Sequence, residues 1–266
     1  MKQSLTLGWL YPNLMSIYGD RGNIIVLQKR CEWRDISVTV KKIDVATSEK
    51  DLLSCDLLMM GGAQDSQQTI VAHDLAKKKE TLSTMIEEGV PGLYICGGFQ
   101  FLGKYYKEAD GKVIEQLGVL DVYTENPGGK RLIGNIAIEV NGLPISSSSE
   151  QSESRSKFST SSNKIIFVGF ENHGGRTRLG KDVQPLGKVL KGYGSNAEDG
   201  QEGAVYRNSI GTYFHGPILP KNPELADWLI AKALERKYKE EVKLKPLDDT
   251  LAHQARTIVL QKLGID

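Results

Sequence analysis

The sequence predicts an α/β protein in which a mostly parallel sheet is flanked by helices. In the first hundred residues, short apolar stretches alternate with longer helix-like ones, an order typical of a parallel sheet covered on both faces. Two of the apolar stretches end in paired glycines, as expected where a buried strand exits sharply into a turn. The candidate strands of this half lie at residues 5–10, 36–43, 55–60 and 92–96, and the candidate helices at 20–30 and 67–88.

The second half has more strand character, interrupted by one biased segment. Its candidate strands lie at residues 117–123, 133–140, 165–170 and 209–214. Ten of the seventeen residues at 146–162 are serine. Such a segment buries too little apolar surface to offset its ordering entropy, so we predict a mobile loop over residues 145–163.

The C-terminus is predicted to be helical. Asn222, Pro223 and Glu224 form a helix start signal, with Asn222 as the N-cap and Pro223 at the first helical position. We therefore assign residues 1–220 to the main domain. Residues 221–266 form a C-terminal helical extension, expected to pack on the core or on a partner.

Composition and charge give no support for a nucleic-acid or anionic-membrane partner, because 34 Lys and Arg nearly balance 33 Asp and Glu. No apolar run approaches the roughly 20 residues needed to span a membrane, and the N-terminus lacks the apolar region of a signal peptide. We therefore expect a cytoplasmic protein without membrane insertion. The three cysteines are too widely spaced for a zinc cluster, so we predict free thiols and no metal site.

The sharpest chemical signal is Cys96, which lies between a buried strand-like run and the pair Gly97-Gly98. A thiol at a tight strand-to-helix turn has the layout of a nucleophile elbow, and the glycines are needed because the turn leaves no room for neighbouring Cβ atoms. The helix N-terminus favours the thiolate, and the Gly97 amide points to where an oxyanion forms. The alternative is a buried structural cysteine at a strand end.

A cysteine nucleophile needs a base, and of the four histidines His215 is the best candidate. It follows a strand-like run and precedes a Gly-Pro break, which places it at the mouth of the sheet. His173, in the glycine-containing string 171–176, is the rival. A loop histidine is also common as a structural hydrogen-bonding group, and this interpretation stays open for both.

Two further glycine-containing segments resemble loops that bind an oxyanion or a phosphate. The loop at Gly61-Gly62 follows a buried strand, where it is either the source of a second oxyanion amide or an ordinary turn. Residues 98–104 have the spacing of a phosphate-binding loop, but Tyr105 replaces the magnesium-binding hydroxyl and the intervening phenylalanines indicate a helix. We therefore predict no ATP site in this chain.

With these residues the sequence resembles the class I glutamine amidotransferases, and in particular their cobyric acid synthase-type branch. Within that branch it is similar to the glutaminase subunits of lipid II isoglutaminyl synthases. The resemblance covers about residues 5–240. It rests on the strings at residues 18–25, 60–62, 96–104, 170–176, 192–194 and 211–221.

The resemblance implies the class I glutamine amidotransferase fold, with Cys96 as the nucleophile and His215 as the catalytic histidine. It also implies that Arg131 and Gln100 bind L-glutamine, with the amides of Gly62 and Gly97 as oxyanion donors. The implied activity is a glutaminase that passes ammonia to a separate Mur-ligase-like synthetase. That partner amidates the α-carboxyl of D-glutamate in the lipid II stem peptide during peptidoglycan synthesis. No cofactor is expected in this chain, since ATP and Mg belong to the partner.

The sequence departs from the class I pattern at the third member of the catalytic triad. Most class I members place a Glu two residues after the catalytic histidine, and here Pro217 stands at that position. The absence fits the cobyric acid synthase-type branch and leaves the residue that orients His215 unknown. We therefore expect the partner to supply a carboxylate or to order the site, so that the lone subunit is a poor glutaminase.

Three other functions stay open from the sequence. One is an amidotransferase for another acceptor, such as a corrinoid, which the missing ATP-binding synthetase domain disfavours. The second is a non-catalytic subunit that binds glutamine as a sensor, which the pair Cys96 and His215 disfavours. The third is a stand-alone cysteine peptidase or amidase.

Overall fold

The computed structural model describes residues 2–63, 65–145 and 164–265. Except for Ile145, the segment predicted as a mobile serine-rich loop, residues 145–163, lies outside these ranges. The helices are α1 (Arg21–Glu32), α2 (Glu49–Leu53), α3 (Asp65–Lys77), α4 (Lys79–Glu87), α5 (Gly97–Leu102), α6 (Pro223–Tyr238) and α7 (Thr250–Leu263). None of the helices in this part of the chain combines the length and apolarity required to cross a membrane.

The strands are numbered in chain order and fall into three sheets. They are β1 (Ser4–Leu10), β2 (Ser37–Ile43), β3 (Leu57–Met60), β4 (Gly92–Ile95), β5 (Tyr105–Lys107), β6 (Val113–Glu115), β7 (Val122–Glu125), β8 (Leu132–Val140), β9 (Ile166–His173), β10 (Arg176–Leu179), β11 (Gly187–Lys191), β12 (Gln201–Glu202), β13 (Ala204–Tyr206), β14 (Ser209–Thr212) and β15 (Phe214–His215).

The central sheet has six strands in the order β13-β14-β4-β3-β1-β2. All neighbours run parallel except the edge strand β13, which pairs antiparallel with β14. Every residue of β3 and β4 is buried, as expected for strands covered on both faces. The predicted α/β fold with a mostly parallel sheet flanked by helices is therefore confirmed.

The chain after α5 adds two mixed or antiparallel sheets beside the central one. One has the order β10-β7-β5-β6 and the other the order β12-β11-β8-β9-β15. The strand predicted at 117–123 was placed too early, because the observed strand begins at Val122. The strand predicted at 209–214 is in fact split between two sheets, with Tyr213 at the break.

The split at Tyr213 has a visible cause in the buried side chain of Glu202. Its Oε1 accepts hydrogen bonds from the Tyr213 amide and from the Thr212 hydroxyl, both at 2.7 Å. These bonds take the Tyr213 amide out of any strand ladder, so the chain leaves the central sheet after Thr212. It continues as β15, which pairs with β9 in the five-stranded sheet. His215 thus approaches the end of β4 from a different sheet.

The single helix predicted at 67–88 is two helices separated by Lys78. The Lys78 amide bonds to the Leu75 carbonyl rather than to a residue four positions back. Its ammonium forms a buried ion pair with Asp74, which also accepts a hydrogen bond of 2.9 Å from the hydroxyl of Tyr11 at the end of β1. These buried contacts anchor the break, and the apolar periodicity of the sequence does not reveal them.

The two C-terminal helices differ in how they join the body. Helix α6 begins at Pro223 as predicted and packs on α1, β1 and β3 with buried residues that include Leu225, Leu229 and Ala233. Asn222, however, makes no side-chain cap. Its amide group instead pairs with the backbone N–H and C=O of Val168, each at 2.9 Å.

Helix α7 has no buried residue among its members. It is joined to the body by charge, because the carboxylate of Asp249 just before it accepts two hydrogen bonds from the guanidinium of Arg30. The same guanidinium binds Asp227 of α6, with Nε 2.6 Å from Oδ1. The division of the chain at residue 220 stays a prediction.

Candidate active site

Cys96 sits at a strained turn between β4 and α5. Its backbone has φ 53° and ψ −107°, outside the regions that non-glycine residues normally adopt. The Cys96 amide donates to the Thr212 carbonyl at 2.9 Å, which fixes the turn to the end of β14. A methyl group added to Gly98 would lie 2.7 Å from the Met60 carbonyl oxygen, so glycine is required there. The strand–cysteine–helix turn predicted from the sequence is present.

Cys96 and His215 meet beside Gly62. A methyl group added to Gly62 would lie 3.2 Å from Cε1 of His215 and 3.3 Å from Cβ of Cys96. The His215 side chain is fully buried, and Cys96 is 8% exposed. Two side chains that lie far apart in the sequence therefore meet at the carboxyl ends of β14 and β4, where parallel sheets commonly bind ligands.

A carboxylate of the same chain stands beside the imidazole. Asp20 precedes α1 and is fully buried, with Oδ1 3.7 Å from Nδ1 of His215. From the sequence, the residue that orients His215 is unknown and a carboxylate is expected from a partner. Asp20 lies in the string at residues 18–25, which carries part of the family resemblance. That string has no assigned role in the resemblance, and it is the signal by which Asp20 could have been found from the sequence.

The pKa of His215 reflects these neighbours. Burial lowers it, but the negative charge of Cys96, side-chain hydrogen bonding with Asp20 and Cys96, and the charge of Asp20 together raise it from 6.5 to about 9. The ring is therefore favoured as an imidazolium at neutral pH. An imidazolium can protonate a leaving amine, and the neutral ring can then take a proton from water.

The Gly62 amide, predicted to be an oxyanion donor, has a carboxylate acceptor in this structure, and its role in the reaction stays a prediction. That N–H donates to Oδ2 of Asp20 at 2.8 Å. The carboxylate reaches the Gly62 amide because the adjacent Gly61 has no side chain, and a methyl group there would lie 2.5 Å from the same oxygen. Gly97 is the first residue of α5, where backbone amides have no partner within the helix, so its role as a donor stays a prediction.

Gln100 lies one helical turn after the nucleophile. Its amide donates to the Cys96 carbonyl at 2.9 Å, and its side-chain Nε2 donates to the Tyr213 hydroxyl at 3.1 Å. A methyl group added to Gly175 would lie 2.8 Å from this Nε2. Gln100 thus lines the same pocket wall as the turn after β9, and its contact with substrate stays a prediction.

Arg131 is exposed at the start of β8, directly opposite that turn. Its Nε donates to Oδ1 of Asn172 and its Nη2 to the Asn172 carbonyl, both at 2.8 Å. A methyl group added to Gly174 would lie 3.7 Å from Nη1. A guanidinium held this way carries its charge to the rim of the pocket, as recognition of a carboxylate requires.

His173, the rival base, is a structural residue. Its Nδ1 lies 2.8 Å from the Gly175 carbonyl, and its ring stacks on Tyr213 with centroids 3.8 Å apart. The pKa of His173 falls from 6.5 to about 3, chiefly because of burial, with further lowering by the charges of Arg176, His215 and Arg131. A ring that stays neutral at every working pH cannot serve as the acid for a leaving amine.

Comparisons with known proteins identify the family of this chain. Residues 6–223 match the CobB/CobQ-like glutamine amidotransferase domain. The chain is 42% identical over 258 residues to the subunit GatD of the lipid II isoglutaminyl synthase (glutamine-hydrolyzing) of Staphylococcus aureus, covering 97% of this chain and 96% of that protein. The protein of the same name from Streptococcus pneumoniae is 41% identical, covering 94% and 88%.

Solved structures share the fold at low sequence identity. The structure of PurLQS from Thermotoga maritima has a TM-score of 0.53 at 15% identity, covering 90% of this chain and 100% of that one. A crystal structure of a glutamine amidotransferase has a TM-score of 0.51 at 18% identity, covering 85% and 98%. The chain belongs to the CobB/CobQ-like glutamine amidotransferase family.

Proposed function

We propose that this chain is the glutamine-hydrolysing subunit of a lipid II isoglutaminyl synthase. The observation that carries the catalytic part is the convergence of Cys96 and His215 beside Gly62. The names of two relatives, 42% and 41% identical over nearly the whole chain, support the assembly and its acceptor.

The first half of the reaction makes a thioester. The Cys96 thiolate attacks the side-chain carboxamide carbon of L-glutamine, and the tetrahedral intermediate then expels the nitrogen. The His215 imidazolium gives its proton to that nitrogen, which leaves as ammonia while the carbon–nitrogen bond breaks. The Gly97 amide stabilises the oxyanion, and a single such donor contributes about 3–4 kcal/mol in comparable sites.

The second half restores the enzyme. The neutral His215 takes a proton from water as the oxygen attacks the glutamyl thioester, and the carbon–sulfur bond breaks to release glutamate. Sulfur leaves as a thiolate beside the imidazolium, which recreates the starting charge state. Arg131 binds the substrate α-carboxylate through paired N–H groups, and Gln100 lies beside the same turn after β9.

The ammonia passes to a Mur-ligase-like synthetase that binds ATP and Mg and amidates the α-carboxyl of D-glutamate in lipid II. The word subunit in the names of both relatives supports a heteromeric assembly. On this proposal the chain itself binds L-glutamine and needs no cofactor.

The test uses the chain with its synthetase, lipid II, ATP and L-glutamine. We expect ATP-dependent amidation of lipid II, with one glutamate formed per amide. Cys96→Ala should abolish the glutamine-driven reaction while ammonium salts still support amidation. Glutamine hydrolysis that never amidates lipid II in this mixture would contradict the acceptor, and intact turnover by Cys96→Ala would contradict the nucleophile.

A further inference from the structure

We propose that Asp20 is the positioning residue of the site: one carboxylate oxygen orients His215 and the other holds the Gly61-Gly62 loop. The two oxygens face different partners. Oδ1 lies 3.7 Å from Nδ1 of His215, and Oδ2 accepts the Gly62 amide at 2.8 Å. The proposal rests on the proposed glutaminase activity, to which it adds a residue.

The location of Asp20 is unfavourable for a carboxylate without compensating partners. Its side chain is fully buried, and burying an ionised group costs several kcal/mol unless partners compensate it. It occupies the N-cap position of α1 but makes no side-chain capping hydrogen bond. Within residues 2–63, 65–145 and 164–265, no hydrogen bond of Oδ1 is shorter than its 3.7 Å distance to Nδ1 of His215. The Asp20 carboxylate therefore points to His215 and not to the first turn of α1.

Packing brings the start of α1 into this position. A methyl group added to Gly22 would collide with the ring of Pro217, and Asn23 Oδ1 accepts the Leu219 amide at 3.0 Å. The segment that follows His215 therefore lies directly on the segment that follows Asp20. Pro217, at the position where class I members place their carboxylate, carries no acceptor side chain, so Asp20 supplies the charge from the opposite side.

A carboxylate at Nδ1 has a defined chemical consequence. It keeps the proton on Nδ1, leaves Nε2 for the exchange with Cys96, and stabilises the imidazolium. On β9, which pairs with β15, His173 is near enough that the charge of His215 lowers its pKa, and Glu171 Oε2 lies 4.0 Å from Nε2 of His173. Lys221 donates to the Gly216 carbonyl at 3.1 Å. Asp20 and Cys96 are the two groups that raise the pKa of His215.

Asp20→Asn is the main variant because asparagine keeps the size and one acceptor for the Gly62 amide. We expect kcat for glutamine hydrolysis to fall by about 10²- to 10⁴-fold with little change in KM, as when a triad orienter is neutralised. Asp74→Asn, which neutralises a buried carboxylate outside the site, is the matched control. It should leave kcat within about threefold, and thermal unfolding reports whether each variant is folded.

A second readout does not depend on turnover. Mass spectrometry can follow iodoacetamide labelling of Cys96 against pH, because burial raises the pKa of Cys31 to about 12 and of Cys55 to about 11 and makes them slow. In Asp20→Asn the labelling of Cys96 at pH 7 should slow. Unchanged labelling and unchanged kcat in a folded variant would overturn the proposal.

A third measurement needs no substitution. Ring ¹⁵N chemical shifts of the unsubstituted chain should show the proton of His215 on Nδ1 even when the ring is neutral. A neutral ring protonated on Nε2 would overturn the role of Asp20 even if Asp20→Asn failed to fold. Loss of turnover in the unsubstituted protein together with Asp20-dependent labelling would instead refute only the proposed glutaminase activity.

Discussion

The two buried histidines of this molecule have opposite properties. His173 at the end of β9 and His215 on the neighbouring strand β15 are both inaccessible to solvent. Burial lowers the pKa of each, yet that of His173 falls to about 3 and that of His215 rises to about 9. The difference comes from charge, since Arg176 and Arg131 lie near the first ring, and Cys96 and Asp20 lie near the second. Burial alone therefore does not identify a catalytic histidine, and its charged neighbours do.

The same contrast makes the two ends of the site differ in charge. Cations stand at the rim near the turn at residues 174–175, where the guanidinium of Arg176 also donates to the Gly174 carbonyl at 2.8 Å. Anions stand at the inner end, around His215. On the proposed function, the α-carboxylate of glutamine binds at the cationic rim and its side-chain amide lies beside Cys96. The polarity of the site thus matches the two ends of glutamine.

The largest expected effect comes from substituting His215, with His173 substituted for comparison. His215→Gln should lower kcat by at least about 10³-fold because it removes the group that exchanges protons with the nitrogen and the water. His173→Gln should stay within about tenfold, since that ring only packs and accepts or donates one hydrogen bond. Steady-state ammonia release measures both. Comparable losses in the two variants would break the distinction.

Removal of Arg131 tests the cationic rim. Arg131→Ala should raise KM for glutamine by roughly 10- to 100-fold with a smaller change in kcat, because a charge-assisted pair contributes about 1.5–3 kcal/mol. The pKa of His173 should rise in the same variant, since Arg131 lowers it. Arg178→Ala, whose guanidinium binds Glu198 at 2.8 Å, is the control. An unchanged KM in Arg131→Ala would remove this residue from the substrate site.

Removal of the Cys96 charge tests the anionic end. In Cys96→Ala the pKa of His215 should fall from about 9, because the thiolate is one of the groups that raise it. Imidazole NMR titration measures this, and the resonances of His173 serve as the internal reference. A pKa of His215 that stays near 9 without the thiolate would assign the whole upward shift to Asp20.

The same substitution has a signed effect on stability. A histidine whose folded pKa is raised from 6.5 to about 9 adds stability that is complete below pH 6.5 and is lost as pH rises through about 9. The unsubstituted chain should therefore lose more of its free energy of unfolding between pH 6.5 and 9 than Cys96→Ala does. Urea unfolding at both pH values gives the comparison, and equal losses would contradict it.

The smallest effect lies far from the pocket, at a carboxylate surrounded by cations. Burial raises the pKa of Glu224, but hydrogen bonding with His253 and the charge and hydrogen bond of Arg256 lower it from 4.5 to about 2. This contribution to stability is present above pH 4.5 and is lost as pH falls through about 2. Glu224→Gln should therefore destabilise the chain by about 1 kcal/mol at pH 7 and by little at pH 2.

Activity should be unaffected by Glu224→Gln, since the residue joins α6 to α7 and does not contact the pocket. Glu198→Gln, at an exposed carboxylate, controls for the loss of charge, and chemical unfolding at both pH values measures the difference. A stability loss that is the same at pH 7 and pH 2 would assign the effect to packing instead of charge.

Local patterns in the sequence predicted part of the site. The buried run before Cys96 and the glycines after it specify a strand, a tight turn and a helix within ten residues, so the elbow could be predicted. His215 could be chosen because it follows a strand-like run. The break at Lys78 and the split at Tyr213 could not, because each depends on a buried carboxylate, Asp74 or Glu202, supplied by another segment.

Local sequence patterns specify the alternation of strands and helices, the nucleophile turn and the family, because these depend on neighbours in the chain. Packing between distant segments makes Asp20 face His215 and binds the Gly62 amide to a carboxylate. No local pattern links these residues. Their approach follows from Gly61 and Gly22, which let three backbone segments pack together, and from the low dielectric of the buried pocket, where each nearby charge has a large effect.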